Sequence, residues 1–211
     1  MKYLKYLDVI KPLHGLNNMN LPKILGVLLH PILLAIPGVF LIVLSSTNDV
    51  GNAFYWTIIS LIFSGIISLF VLFGVKKKFF NNLDVSNRKQ RVILYPFAVA
   101  VIIIFAFYIH SQNGPEALVG ASILFTIALV LLDLINRKIK ASIHVASVAA
   151  MVTGIVLLYG GIAYFLILLI PISAWARIAQ KRHTLSETVV GATCGIVLTV
   201  VGVFVVQLFV Q

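Results

Sequence analysis

The sequence predicts an all-α, polytopic membrane protein, a bundle of about seven transmembrane helices. Three observations carry that prediction. Of the 211 residues 61% are hydrophobic and only 10% are charged, with a mean hydropathy of +1.08. Seven apolar stretches have the length of membrane spans, and every lysine and arginine falls in alternate connections between them. A soluble domain carries about 25% charged residues, so a water-soluble enzyme, a disordered tail and a disulfide framework are all excluded. The one cysteine, Cys194, lies in an apolar run and reads as a small core residue.

Each span of a hydrocarbon core about 30 Å thick needs roughly 20 mostly apolar residues. The expected spans are 24–44, 54–74, 92–110, 117–135, 144–159, 162–178 and 187–210. The fifth and sixth are joined only by Gly160 and Gly161, which requires a tight helical hairpin. Pro31, Pro37 and Pro171 are expected to kink spans, and Trp56 and Trp175, near span ends, to anchor them at the interface. Ahead of the spans, residues 1–23 intersperse Lys2, Lys5 and Lys11 with Leu4, Leu7, Ile10 and Leu13. That pattern suits an N-terminal helix lying in the headgroup layer. Its apolar neighbour is too long for a signal-peptide core and lacks a close cleavage site, so the segment is expected to be retained. Residues 24–211 form the integral membrane domain.

The 16 cations sort by side. Lys2, Lys5, Lys11 and Lys23 precede the first span, and Lys76, Lys77, Lys78, Arg88, Lys89 and Arg91 follow the second. Arg137, Lys138 and Lys140 follow the fourth, and Arg177 at the end of the sixth is followed by Lys181 and Arg182. The opposite connections contain none. The positive-inside rule puts the N-terminus and the basic loops in the cytoplasm and the C-terminus outside the cytoplasmic membrane. Topology thus accounts for the net charge of +10, and no nucleic-acid partner is expected.

Three polar clusters enter or leave spans on that basic side: 87–96, 137–144 and 176–187. Two spans separate each from the next, so parity allows all three to meet on one surface. Their chemistry suits a phosphate. Arg88, Arg91 and Tyr95 fall at i, i+3 and i+7 on one helix face, offering two guanidinium forks and a phenol. Ser142 occupies an N-cap position, so the first amides of the fifth span and the positive end of its dipole point to the same region. His144 follows in that turn. Arg177 ends the sixth span, and His183 with Glu187 forms an i, i+4 pair at the start of the seventh. Two imidazoles and several guanidiniums, with no thiol or carboxylate cluster, favour phosphoryl transfer through histidine over a metal centre, which needs more closely placed ligands. No metal and no cofactor is expected.

This spacing resembles the three motifs of the type 2 phosphatidic acid phosphatase family, membrane relatives of acid phosphatases and vanadium haloperoxidases. The family reads lysine, six residues, Arg-Pro; then Pro-Ser-Gly-His; then Ser-Arg, five residues, His, three residues, Asp. Here Arg88 is followed by six residues and Tyr95-Pro96; the second motif reads Ala141-Ser142-Ile143-His144; the third reads Ala176-Arg177, five residues, His183, three residues, Glu187. The motif region covers 84–200, and a six-helix core of the family's kind fits within the seven spans. The resemblance implies a metal-independent hydrolase of a lipid phosphate or isoprenoid diphosphate. In it His183 attacks phosphorus, Glu187 orients that ring, and His144 protonates the leaving oxygen and later activates water. Arg88 and Arg177 hold the phosphate with the amides beside Ser142. Tyr95 replaces an arginine, whose charge Arg91 could restore; Ile143 replaces glycine and Glu187 replaces aspartate.

Several residues have plainer readings. Thr184, Leu185, Ser186 and Glu187 spell a capping box. Lys181 and Arg182 are expected to be solvated, and Arg137, Lys138 and Lys140 to set orientation and attract anionic headgroups, with Asp133 paired to Arg137. Asp84 is expected to start a helix, and His14, His30 and His110 to lie outside any site. Two other readings of the whole chain stay open: a non-catalytic membrane protein or small transporter whose basic loops only set topology, and a lipid phosphotransferase.

Overall fold

The computed structural model describes residues 20–85 and 87–210, without the side chains of 205–210. Most of the expected headgroup-layer helix, residues 1–19, therefore lies outside the described residues. The described chain is an all-α bundle: α1 (Leu21–Leu28), α2 (Pro31–Thr47), α3 (Val50–Lys76), α4 (Arg88–Ser111), α5 (Glu116–Asn136), α6 (Ile143–Tyr159), α7 (Leu169–Ala179) and α8 (Leu185–Val210), with a 3-10 helix, Gly161–Leu168, leading into α7.

Each of the seven expected apolar stretches is helical, but they are not seven equal spans. Among the described residues five helices are long and apolar enough to cross a membrane, counting the 3-10 helix with α7, and the bent pair of α1 and α2 makes a sixth. The remaining stretch, α6, has 17 residues and is therefore about 25 Å long, short of the roughly 30 Å core. The first stretch is broken because Pro31 opens α2. A proline lacks the N–H of a continuing helix and pushes the preceding residue out of the helical region. His30 is accordingly extended (φ −72°, ψ 138°) and its Nδ1 accepts the Ile32 amide at 3.3 Å. The helices on either side meet at 45°. At the expected hairpin, Gly160 and Gly161 have φ of +58° and +50°, values that side chains disfavour.

Large apolar side chains cover the outside, with Ile162 85%, Phe165 73% and Phe107 71% exposed. A surface of this kind suits lipid tails and not water. Inside, α6 lies at the centre, with Val145, Val148, Ala149 and Val152 buried against α8, α2 and α7. Its closest neighbour is α8, which crosses it through Gly191 and Gly195. A Cβ on Gly191 would lie 2.5 Å from the Ser142 carbonyl oxygen, and one on Gly195 would overlap that of Ala146. Small residues four apart allow such backbone approach, where packing and not water expulsion drives association.

Trp56 departs from its expected interfacial role. It is buried among Val43, Ala53, Phe105, Ile109 and Leu118, and the ring fills the space where Gly114 would carry a Cβ. Trp175 is exposed, as an anchor would be. At one end of the bundle the Tyr159 hydroxyl donates to the Leu41 carbonyl at 2.8 Å. At the other, Gln180 Nε2 donates to the Pro22 carbonyl at 2.7 Å, tying the start of α1 to the corner between α7 and α8. This second end carries the polar residues.

Candidate functional site

The segments 84–91, 136–144 and 177–187 meet at that end, as parity allows. Arg91, in the first turn of α4, is 3% exposed. Its Nε donates to the Val85 carbonyl at 3.0 Å, and its Nη1 to the Ala141 carbonyl at 3.2 Å and to Asn136 Oδ1 at 3.4 Å. Arg91 thus fastens the loop before α4 to the loop before α6. Val85 needs the fastening, since its φ is +43°, a genuine outlier for a β-branched residue and one that surrounding structure must hold. The side chain of Val85 is buried and its carbonyl is gripped by Arg91.

A second tie joins α6 to α8. The Ser142 amide donates to the Glu187 carbonyl at 3.1 Å, at the crossing that Gly191 keeps thin. Ser142 is the N-cap of α6 by backbone position, but its side chain makes no capping bond. The first amides of a helix have no acceptor within it, so this end of α6 presents donors and a positive dipole end.

Glu187 fills both roles its spacing allowed. Its Oε2 is 2.9 Å from His183 Nδ1 and accepts the Thr184 amide at 3.1 Å, while Thr184 Oγ1 accepts the Glu187 amide at 3.4 Å. The carboxylate places the ring proton on Nδ1, which leaves Nε2 as the lone-pair nitrogen. Burial, with Arg91 and Lys140 adding to it and the Glu187 hydrogen bond opposing, pushes His183 down to about 4. Near neutrality this ring is uncharged.

Two residues outside the expected site belong to it. Asp84 does not start α4, whose N-cap is Asn87, accepting the Lys89 amide at 3.0 Å. Its Oδ2 instead lies 3.2 Å from Arg177 Nη2 and 3.8 Å from Arg182 Nε. Burial would raise the Asp84 pKa, but Arg177, His144 and Arg182 outweigh it and hold the carboxyl below its ordinary value. His30 meets His144 edge to face, with ring centroids 4.9 Å apart. The charged groups nearest in effect to His144 are Arg177 and Asp84. Lys140, expected to set orientation and attract anionic headgroups, donates to the Arg182 carbonyl at 3.0 Å.

The other expected residues divide. Arg177 is buried in the cluster. Arg88 sits toward its edge, its Nη1 3.4 Å from the Lys138 carbonyl. Tyr95 is buried one turn beyond Arg91 in an apolar cluster with Ala98, Ile102 and Leu129. Arg137 pairs with Asp133 at 3.5 Å, as expected.

Among the described residues, four buried side-chain polar atoms have no hydrogen-bond partner, and three of them are Ser142 Oγ, His144 Nε2 and Arg177 Nε. Buried polar atoms are rarely left so. An oxyanion offers the acceptors that the hydroxyl, the guanidinium and a protonated imidazole call for. A hollow of about 260 Å³ beside the cluster is lined by Lys23, Lys181 and Arg182 among others. An apolar crevice of about 310 Å³ between α4 and α5 reaches His110 and belongs to the other end of the molecule.

The chain matches no family model, no curated protein and no solved structure.

The lowered pKa of His183 has a sign in stability. Between about pH 4 and the ordinary histidine value near 6.5, the unfolded chain binds a proton that the folded ring refuses. Stability is therefore complete above that range and falls as pH drops through it. Asp84 acts only below the ordinary carboxylate range. The thermal midpoint in detergent should fall as pH drops from 6.5 toward 4, and fall less in His183→Gln; the same pH slope in both proteins would contradict this.

Proposed function

We propose that the chain is a metal-independent lipid phosphatase of the type 2 phosphatidic acid phosphatase kind. It would hydrolyse a phosphate monoester or an isoprenoid diphosphate through a phosphohistidine. The observation that carries the reading is the set of three unpartnered buried polar atoms, on Ser142, His144 and Arg177, beside a histidine held by a carboxylate. Those groups are a phosphate's complement, and the motif spacing supplies the roles.

In this mechanism Glu187 keeps the His183 proton on Nδ1, so Nε2 attacks phosphorus and a P–N bond forms. The bond from phosphorus to the lipid oxygen breaks, and that oxygen takes a proton from His144. Water then attacks the phosphohistidine and gives its proton to His144, and the P–N bond breaks to release phosphate. Arg177 and the first amides of α6 stabilise the equatorial oxygens, as preorganised donors do best where water is excluded. Arg91 contributes by fixing both loops and adding charge, Arg88 by shaping the approach, and Tyr95 by packing one turn beyond Arg91.

The substrate tail would remain among lipids beside the bundle while the headgroup enters past Lys23, Lys181 and Arg182, which also attract anionic headgroups. The placement of all 16 cations favours a cytoplasmic site in the cytoplasmic membrane, with the C-terminus outside.

Purified protein in detergent, freed of metal, should release inorganic phosphate from a panel of lipid phosphates and be inhibited by vanadate. His183→Ala should release none, His144→Ala should be slower by ~10²–10⁴-fold, and Arg177→Ala by ~10²–10³-fold. Equal release by wild type and His183→Ala would end the enzyme reading. Orientation is read separately from Ser46→Cys and Asn113→Cys in a Cys194→Ala background. An impermeant thiol reagent should label both on intact cells, and protection of both would reverse the assignment.

A further inference from the structure

His30, Asp84 and His144 come from three distant parts of the sequence, the break between α1 and α2, the loop before α4 and the first turn of α6. They offer two imidazole nitrogens and one carboxylate oxygen that all lie within 4.8 Å of one another. Only His144 of the three belongs to the motifs; His30 stands inside an apolar stretch and Asp84 ahead of α4.

We infer that these three residues form a binding site for a divalent transition metal, Zn²⁺ being the fitting class, and that the ion competes with the acid–base role of His144. The second half of that inference rests on the proposed phosphatase reading; the first does not.

The donor set is what zinc takes in open sites, with three protein ligands and a fourth position for water or another small ligand. One further observation supports it. His144 Nε2 is buried and unpartnered, so a ring carrying its proton on Nδ1 offers a lone pair there without displacing any protein partner. His30 Nδ1 accepts the Ile32 amide, so the neutral ring carries its proton on Nε2, and ligation requires the ring to release that amide before either nitrogen can give its lone pair to the metal. Asp84 is already held as a carboxylate. Both its guanidinium contacts fall on Oδ2, while a carboxylate carries about four lone-pair sites, so it can ligate while Arg177 and Arg182 orient it from behind.

Zinc bonds of about 2.0–2.1 Å in a tetrahedron put ligand atoms roughly 3.3 Å apart. The side chains must therefore draw inward on binding, and His30, in a bend between two short helical arms, can do so most easily. The same guanidiniums oppose a dication, so binding should be weaker than at a comparable site without them and should strengthen as salt screens them. With the metal on Nε2, His144 has no proton for a leaving oxygen. Metal and turnover therefore exclude each other.

The test uses full-length, tag-free protein in detergent, stripped with a chelator and titrated with Zn²⁺ against a chromophoric competitor. Roughly one equivalent should bind. Affinity should fall about tenfold or more in His30→Ala and in His30→Gln, and stay unchanged in His110→Ala. Asp84→Asn should weaken binding too, read beside its thermal midpoint because it leaves Arg177 without its partner. Equal affinity in wild type and both His30 variants would overturn the site. In a second arm, Zn²⁺ should suppress phosphate release by wild type and not by His30→Ala; suppression of both alike would overturn the competition. A protein that binds Zn²⁺ through His30 yet releases phosphate from no lipid would sink the phosphatase reading and leave the site standing.

Discussion

Charge buried at the end of an otherwise apolar bundle must find its partners within the protein, and the polar end of this molecule is organised by that constraint. Arg91 and Arg177 are each less than 5% exposed. For Arg177, whose partner is Asp84, removing that partner leaves a buried charge uncompensated, at a cost of about 3–5 kcal/mol. Arg91 is therefore met by two carbonyls and an amide oxygen, and Arg177 by Asp84. These bonds reach across loops that share no sequence proximity, so satisfying the charges also assembles the cluster.

The α6–α8 crossing supplies the precision. Gly191 lets the backbone of α8 approach Ser142 closely, and the Ser142 amide then bonds the Glu187 carbonyl. The end of α6, with its free amides and His144, is thereby registered against the turn that carries His183. One residue, Glu187, thus closes the helix cap through its side chain, holds the imidazole and, through its backbone, ties the two helices together. A rigid element pair of this kind positions reactive groups better than loops alone can.

Much of this was legible in the sequence. Hydropathy located every helical stretch, and charge parity brought the three clusters to one end. The His183–Glu187 pair and its capping box followed from i, i+4 and i, i+3 spacing, which are local properties. The misreadings were those of tertiary contact. His30 looks like a stray polar residue in an apolar stretch, and only the Pro31 break and the packing of α2 on α6 bring it to His144. Asp84 sits where a helix-start residue is plausible, but Val85 at positive φ and the grip of Arg91 turn the chain so that the carboxylate faces Arg177. Trp56 follows the statistics of interfacial tryptophan until Gly114 leaves a space that only a large ring fills. The length of α6 was visible, but its central position, where it need not meet lipid on every side, was not.

The central claim, that this cluster is built to make and break a bond between histidine and phosphorus, is tested most directly by trapping the intermediate. Protein mixed with a phosphorus-labelled lipid phosphate and quenched within the first turnover in alkaline denaturant should carry acid-labile label on His183, located by peptide mass spectrometry. Label on another residue, or a protein that turns over substrate without ever becoming phosphorylated, would contradict the account.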